Sequence, residues 1–254
     1  MYIGRLLFIL CVLITPPPLK AATVNVAVAS NFAATLRLLA TAFNRESGHQ
    51  LRISSASTGK LYAQIVQGAP YDVFLAADSD RPERLVHLGL AAGDSRFTYA
   101  RGRLLLWSPR SGFAGDGVEI LTQGRFRHLA IANPKTAPYG VAARQALESL
   151  GLWETIEPRL VRGENIGQTF QYVASGAAEL GLVSRSQLPA LNAGAGYDWP
   201  VPSHLHTPIR QQAVLLARGA GNPAATDFLI FLRSDIAAAL IAEAGYLVGD
   251  GGDR

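Results

Sequence analysis

The hydrophobic pattern changes period again and again along the chain. In "VNVAVASNFAATLRLLATAF", beginning at Val24, the residues Val24, Val26 and Val28 alternate within a short apolar run and predict a buried strand. From Phe32 the apolar positions fall at Phe32, Leu36, Leu39 and Phe43, which is one stripe of a helix. "LRISS" (51–55), "DVFLAA" (72–77), "RLLLWS" (103–108), "HLAIA" (128–132), "LGLV" (180–183) and "QQAVLLA" (211–217) predict further strands, with "RLV" (159–161) a short one. Between them "KLYAQIVQG", "SDRPERLVHLG", "YGVAARQALESLG" and "QTFQYVASG" predict helices, and "NPAATDFLIFLR" and "SDIAAALIAEAG" add two at the end. Asp80 with Glu83 reads as a capping box closed by Gly89, and Asn222 as the cap before Pro223. Strands alternating with helices predict an α/β protein with mostly parallel sheets. The "GDGGDR" tail is expected to fray.

Four strand-to-helix joints look alike. Ser30-Asn31 opens the first helix, and "ASTGK" (56–60) opens the second with Ser57 and Thr58 at the cap. "APYG" (137–140) opens a third and "ENIGQ" (164–168) a fourth. Each offers first-turn N–H groups at the positive end of a helix dipole, and three add a hydroxyl. None uses Asp or Glu as the capping side chain. In an open α/β sheet such joints lie on the side where ligands bind. One joint alone is an N-cap. Four of this kind point to a pocket for an anion.

The N-terminal segment sets the compartment. Residues 1–22 carry Arg5, the apolar run "LLFILCVLIT", a proline break and "LKAAT", which reads as a signal peptide cleaved after Ala21 or Ala22. The run is too short to span a bilayer comfortably. Cleavage would remove Cys11, the only cysteine, and with it any disulfide, thiol nucleophile or thiolate ligand. Losing Arg5 and Lys20 lowers the formal charge from +4 to +2, too mild a balance to argue for nucleic acid or an anionic membrane.

Rival chemistry is weaker. Ser57-Thr58-Gly59-Lys60 fits the S-x-x-K of serine acyl-enzymes, but Ser79-Asp80 is followed by Arg81 and Lys135-Thr136 by Ala137, so the companion motifs fail. His204 and His206 lie in a segment with no Cys and no acid, which fits a solvated loop better than a metal site. An amino-acid ligand would ask for an arginine and an acid, and neither is evident at the four joints.

"AVASNFAATL", "ISSASTGKLYAQIVQGAPYDVFLAAD", "SRFTYARGRLLLWS", "AIANPKTAPYG", "NIGQTFQYVASGAAELGLV" and the closing "AGY" carry a family resemblance. The chain resembles the periplasmic molybdate-binding proteins of ABC importers, a branch of the bilobal solute-binding proteins. The resemblance implies a two-lobed α/β fold with the ligand cleft between the lobes. It also implies a periplasmic, monomeric binding protein that is not an enzyme, needs no cofactor or protein-bound metal and docks on a membrane permease. Its ligand would be molybdate or tungstate, held as an oxyanion by hydroxyls and N–H groups without a counter-charge. Carried over, Ser30 matches the first hydroxyl and Asn31 the neighbouring donor, while Thr58 matches a position commonly serine. Tyr139 matches a donor that some relatives replace by alanine, using the backbone there, and Ile166 matches a backbone N–H donor. One branch has a tyrosine after "GLV" where this chain has Ser184, so that contact is not carried over. Lys60 is not part of this neutral pattern; its simplest role is a solvated first-turn lysine, and the sequence leaves open whether it turns toward the cleft. Lobe one is expected at 23–101 and 208–254 and lobe two at 102–207, with crossings near "YARG" and "HTPIR". Sulfate or phosphate on the same fold is the main competitor, and the Ser57-x-x-Lys60 acyl-enzyme a distant one.

Overall fold

The computed structural model describes residues 21–188 and 196–249. Most of the expected signal peptide, with Cys11, and all but the first residue of the "GDGGDR" tail lie outside these residues.

Ten strands and nine helices are described. The first half runs β1 (Thr23–Ala29), α1 (Ala33–Ser47), β2 (Gln50–Ala56), α2 (Thr58–Val66), β3 (Val73–Ala76), α3 (Asp80–His87), β4 (Phe97–Gly102) and β5 (Leu104–Ser108). It continues through α4 (Gly117–Gln123), β6 (Leu129–Ala132), α5 (Pro138–Ser149), α6 (Trp153–Ile156), β7 (Leu160–Gly163), α7 (Ile166–Ala174) and β8 (Leu180–Ser184). β9 (Tyr197–Pro200), β10 (Ile209–Leu215), α8 (Pro223–Leu232) and α9 (Asp235–Glu243) complete it.

The strands form two five-stranded sheets, ordered β2-β1-β3-β10-β4 and β7-β6-β8-β5-β9. Each sheet is mixed in the same way. The first three strands run parallel, and the last two pairings are antiparallel. The parallel character expected from the strand–helix alternation therefore holds for the half of each sheet that carries the four joints. The antiparallel half follows from the crossings: β5 enters the second sheet directly after β4, and β10 returns to the first after β9.

Helices cover both faces of each sheet, as parallel strands require. In the first lobe Phe32, Leu36, Phe43 and Phe228 pack on one face, and Leu61, Ile65, Phe74 and Leu85 on the other. In the second, Leu129, Ile131, Ala143 and Leu147 fill one face, while Trp107 stacks on Phe170 at 4.9 Å on the other. Ala29 and Ala77 of the first lobe join the second lobe's core, so apolar contact continues across the cleft.

Two caps differ from the sequence reading. Asp80 is not the cap of α3; Ser79 holds that position, Asp78 Oδ1 accepts from Arg81 N at 3.0 Å, and Asp80 instead accepts from Arg84 Nε. Asn222 precedes α8, but its amide donates to Thr23 O rather than capping. Asp80 is held by Arg84 one turn along the same helix, and Asn222 by Thr23 outside its helix. No helix among the described residues is long and apolar enough to cross a membrane.

Candidate ligand-binding cleft

The first joint turns from β1 through a 3₁₀ turn, Ser30–Phe32, into α1. Ser57 and Ala137 hold the N-cap positions of the second and third without a capping bond, and Asn165 caps the fourth, its Oδ1 accepting from Gln168 N at 3.0 Å. No carboxylate caps any of them, as the sequence predicts.

These joints meet in pairs across the cleft. Gly59 N donates to Thr136 O at 2.8 Å, joining the second to the third. A Cβ built on Gly167 would lie 3.7 Å from Ser30 Cβ, so the fourth abuts the first. Outside them, Lys60 Nζ lies 2.5 Å from Glu164 Oε2, spanning the cleft between two half-exposed side chains. Lys60 is thus a first-turn lysine, as expected, but paired with a residue of the facing lobe.

All five sequence-predicted site residues line one cavity: Ser30, Asn31, Thr58, Tyr139 and Ile166. Ser57 lines it as well, and Ala29, Ala77, Ala137 and Pro138 supply small apolar walls. Its empty space is about 180 Å³, counting space open to solvent. A wider hollow beside it, about 870 Å³ counting space open to solvent, shares Ala77 and Pro138 and holds the Asp78–Arg81 ion pair. The smaller cavity is the better site, because the helix starts converge there and no charged side chain among the described residues lines it. Helix geometry leaves first-turn N–H groups without intrahelical partners. Hydroxyls and first-turn N–H groups gathered around one small cavity fit an anion with several acceptor oxygens.

Comparison with known proteins agrees with this fold. Residues 24–247 match the family described as bacterial extracellular solute-binding protein. The chain belongs to that family. It is 47% identical over 230 residues to the molybdate-binding protein ModA of Azotobacter vinelandii, covering 89% of this chain and 90% of the relative. The ModA of Rhodobacter capsulatus is 41% identical over 230 residues, with 91% and 90% covered. The solved structure of the Azotobacter vinelandii periplasmic molybdate-binding protein superposes with a TM-score of 0.85 at 42% identity, covering 89% of this chain and 99% of that one.

In this solute-binding protein the side chains of Asn31, Tyr139 and Thr58 are already engaged within the fold. The Asn31 amide donates to Gln211 Oε1 at 2.9 Å and to Tyr246 OH at 3.0 Å, so both its protons are committed away from the cavity. What Asn31 has left to donate is its backbone N–H. The Tyr139 hydroxyl accepts from Ser184 Oγ at 2.9 Å, next to Gln211 Nε2 at 3.4 Å. Both bonds use the hydroxyl as an acceptor, and the backbone N–H of Tyr139 lies in the first turn of α5 at the cavity. Thr58 Oγ1 accepts from Ala77 N at 3.1 Å, which leaves its proton to donate. Its hydroxyl therefore serves the fold as well as the cavity.

Behind the cavity these groups form one buried network joining both lobes. Tyr246 OH donates to Asn31 O at 2.8 Å, Ser186 Oγ to the same oxygen at 3.2 Å, and Tyr99 OH to Gln211 Oε1 at 3.0 Å. Burial pushes the phenols of Tyr99, Tyr139 and Tyr246 well up from their usual range, so they act as neutral donors and acceptors. Asp78, near the cavity wall, is also pushed up by burial, against the opposing pull of Arg81. Ser184 stands where the resemblance expects a tyrosine in one branch, and it meets the hydroxyl of Tyr139 instead. Sequence reading missed Gln211, Ser186 and Tyr246 as partners of the site; only the "AGY" ending hinted at the last.

Proposed function

We propose that this protein captures molybdate, and tungstate with it, for an ABC importer, holding the oxyanion between its lobes by neutral donors. The observation that carries the reading is the convergence of four helix starts on one cavity lined by no charged side chain among the described residues. The names of the relatives at 47% and 41% identity support the choice of ligand.

In this reading Ser30 and Thr58 donate hydroxyl protons, and Asn31, Tyr139 and Ile166 donate backbone N–H. A charge-assisted hydrogen bond contributes about 1.5–3 kcal/mol, so a handful of rigid dipoles stabilises a dianion without an ion pair. Larger metal–oxygen distances separate molybdate from sulfate: the smaller anion leaves donors unpaired in a cage set for the larger one. The lobes comprise 23–101 with 208–254, and 102–207. Closure over the anion presents the liganded form to a membrane permease. The N-terminal sequence directs the chain to the periplasm, where it works as a monomer without a cofactor.

A thermal-shift panel of molybdate, tungstate, sulfate, phosphate and vanadate tests the assignment. A ligand at a thousandfold excess over its dissociation constant adds about 4 kcal/mol of stability. Large shifts are expected with molybdate and tungstate and small ones with sulfate and phosphate. A larger shift with sulfate would overturn the choice of ligand.

A further inference from the structure

Ser57 carries a hydroxyl that the donor set above does not use. It is the N-cap of α2, in extended backbone at φ −66° and ψ 148°, and only 2% exposed. A serine at this position ordinarily accepts from the N–H of the second or third helical residue. Here it makes no capping bond. The N–H of the second residue, Gly59, is drawn across the cleft to Thr136 O at 2.8 Å. Ser57 Oγ is buried and has no hydrogen-bond partner among the described residues.

Two other polar caps behave differently. Asn165 accepts from Gln168 N, and Ser234 from Ala237 N. Thr58, the neighbour of Ser57, has its oxygen occupied by Ala77 N. A buried hydroxyl without a partner is costly unless something satisfies it. Ser57 lines the same cavity as the five donors, so the missing partner belongs there.

We propose that Ser57 is a further ligand-binding residue, donating its hydroxyl proton to one oxygen of the bound tetrahedral oxyanion beside Thr58. This rests on the oxyanion reading above. The second helix start then contributes two consecutive hydroxyls, one anchored to the fold and one held for the ligand.

The test is calorimetric titration of wild type, Ser57→Ala and Ser57→Gly with molybdate, together with thermal melts of each protein without ligand. Glycine is nearly as good an N-cap as serine and alanine a poor one, so the pair separates capping from ligand donation. Both variants are expected to bind about ten- to a hundredfold more weakly, the worth of one hydrogen bond to a charged group. The ligand-free melting temperature of Ser57→Ala is expected not to fall, because no bond is broken. Affinities within twofold of wild type in both variants would overturn the proposal. So would a loss confined to Ser57→Ala and accompanied by a lower melting temperature, which is the signature of a cap. Wild-type protein that binds no molybdate would overturn the oxyanion reading itself, and this inference with it.

Discussion

Replacing Gly59 by alanine should stabilise the ligand-free protein and weaken ligand binding. Gly59 is the second residue of α2 and does not use left-handed backbone. Alanine in a helix is favoured over glycine by up to about 1 kcal/mol, so with the lobes apart the substitution is mildly stabilising. With the lobes together it is not. The new Cβ would lie 2.9 Å from Thr136 O and 3.1 Å from Thr136 Cα, backbone atoms that cannot swing aside. Overpacking of this kind costs about 1–3 kcal/mol. The Gly59 N to Thr136 O bond of 2.8 Å would be stretched or lost, at about 0.5–1.5 kcal/mol more. The combined penalty corresponds to roughly ten- to a thousandfold weaker binding. Titration calorimetry with molybdate, beside melts of the ligand-free protein, reads both effects. Wild-type affinity in Gly59→Ala would refute the reasoning, because the contact between the second and third joints would then play no part in the bound form.

Thr58→Val removes the acceptor for Ala77 N as well as a ligand donor, so it should weaken molybdate binding ten- to a hundredfold and cost the ligand-free protein about 1–3 kcal/mol. Urea unfolding without ligand checks the second half, and unchanged stability would contradict it. Lys60→Ala breaks an exposed pair with Glu164, worth no more than about 1 kcal/mol, and should change affinity less than about fivefold. A variant that folds but no longer binds would mean that the site relies on a counter-charge. Affinity should stay flat between about pH 6 and 9, because among the described residues no titratable carboxylate, histidine or lysine lines the cavity and burial holds the three phenols neutral. Their folded pKa values are raised, so their contribution to stability is intact below the unfolded value near about 10 and is lost as pH rises beyond it. Titrations across that range, and alkaline unfolding followed by tyrosine absorbance, check both limbs.

The joints were legible because a small polar residue between a period-2 run and a period-3.6 run is a local signal. That signal marks the four joints, the family resemblance picks Ser30, Asn31, Thr58, Tyr139 and Ile166 within them, and all five line one cavity. Which atom each residue presents was not legible. Asn31 reaches Gln211 across 180 positions and Tyr246 across 215, and no local pattern encodes such contacts. Those partners decide that Asn31 has its backbone to offer, and Gln211 also reaches the Tyr139 hydroxyl. Ser57 and Thr58 look equivalent as caps in sequence; only the neighbours Ala77 and Thr136 tell them apart. The edge strands β4 and β9 were not read as strands, because "FTYARG" and "YDWP" are mixed in polarity and lack clean alternation. The antiparallel halves of the sheets were hidden for a related reason. Strand direction depends on where the chain crosses between lobes, not on the composition of the strand.

A crystal structure with tungstate, located by its anomalous scattering, tests the central claim most directly. The claim predicts one strong peak in the small cavity between the helix starts. Oxygens around it should lie within hydrogen-bond distance of the Ser30 and Thr58 hydroxyls and of the N–H groups of Asn31, Tyr139 and Ile166, with no lysine or arginine in contact. A peak beside Lys60, or in the wider hollow against Arg81 and Arg210, would contradict it.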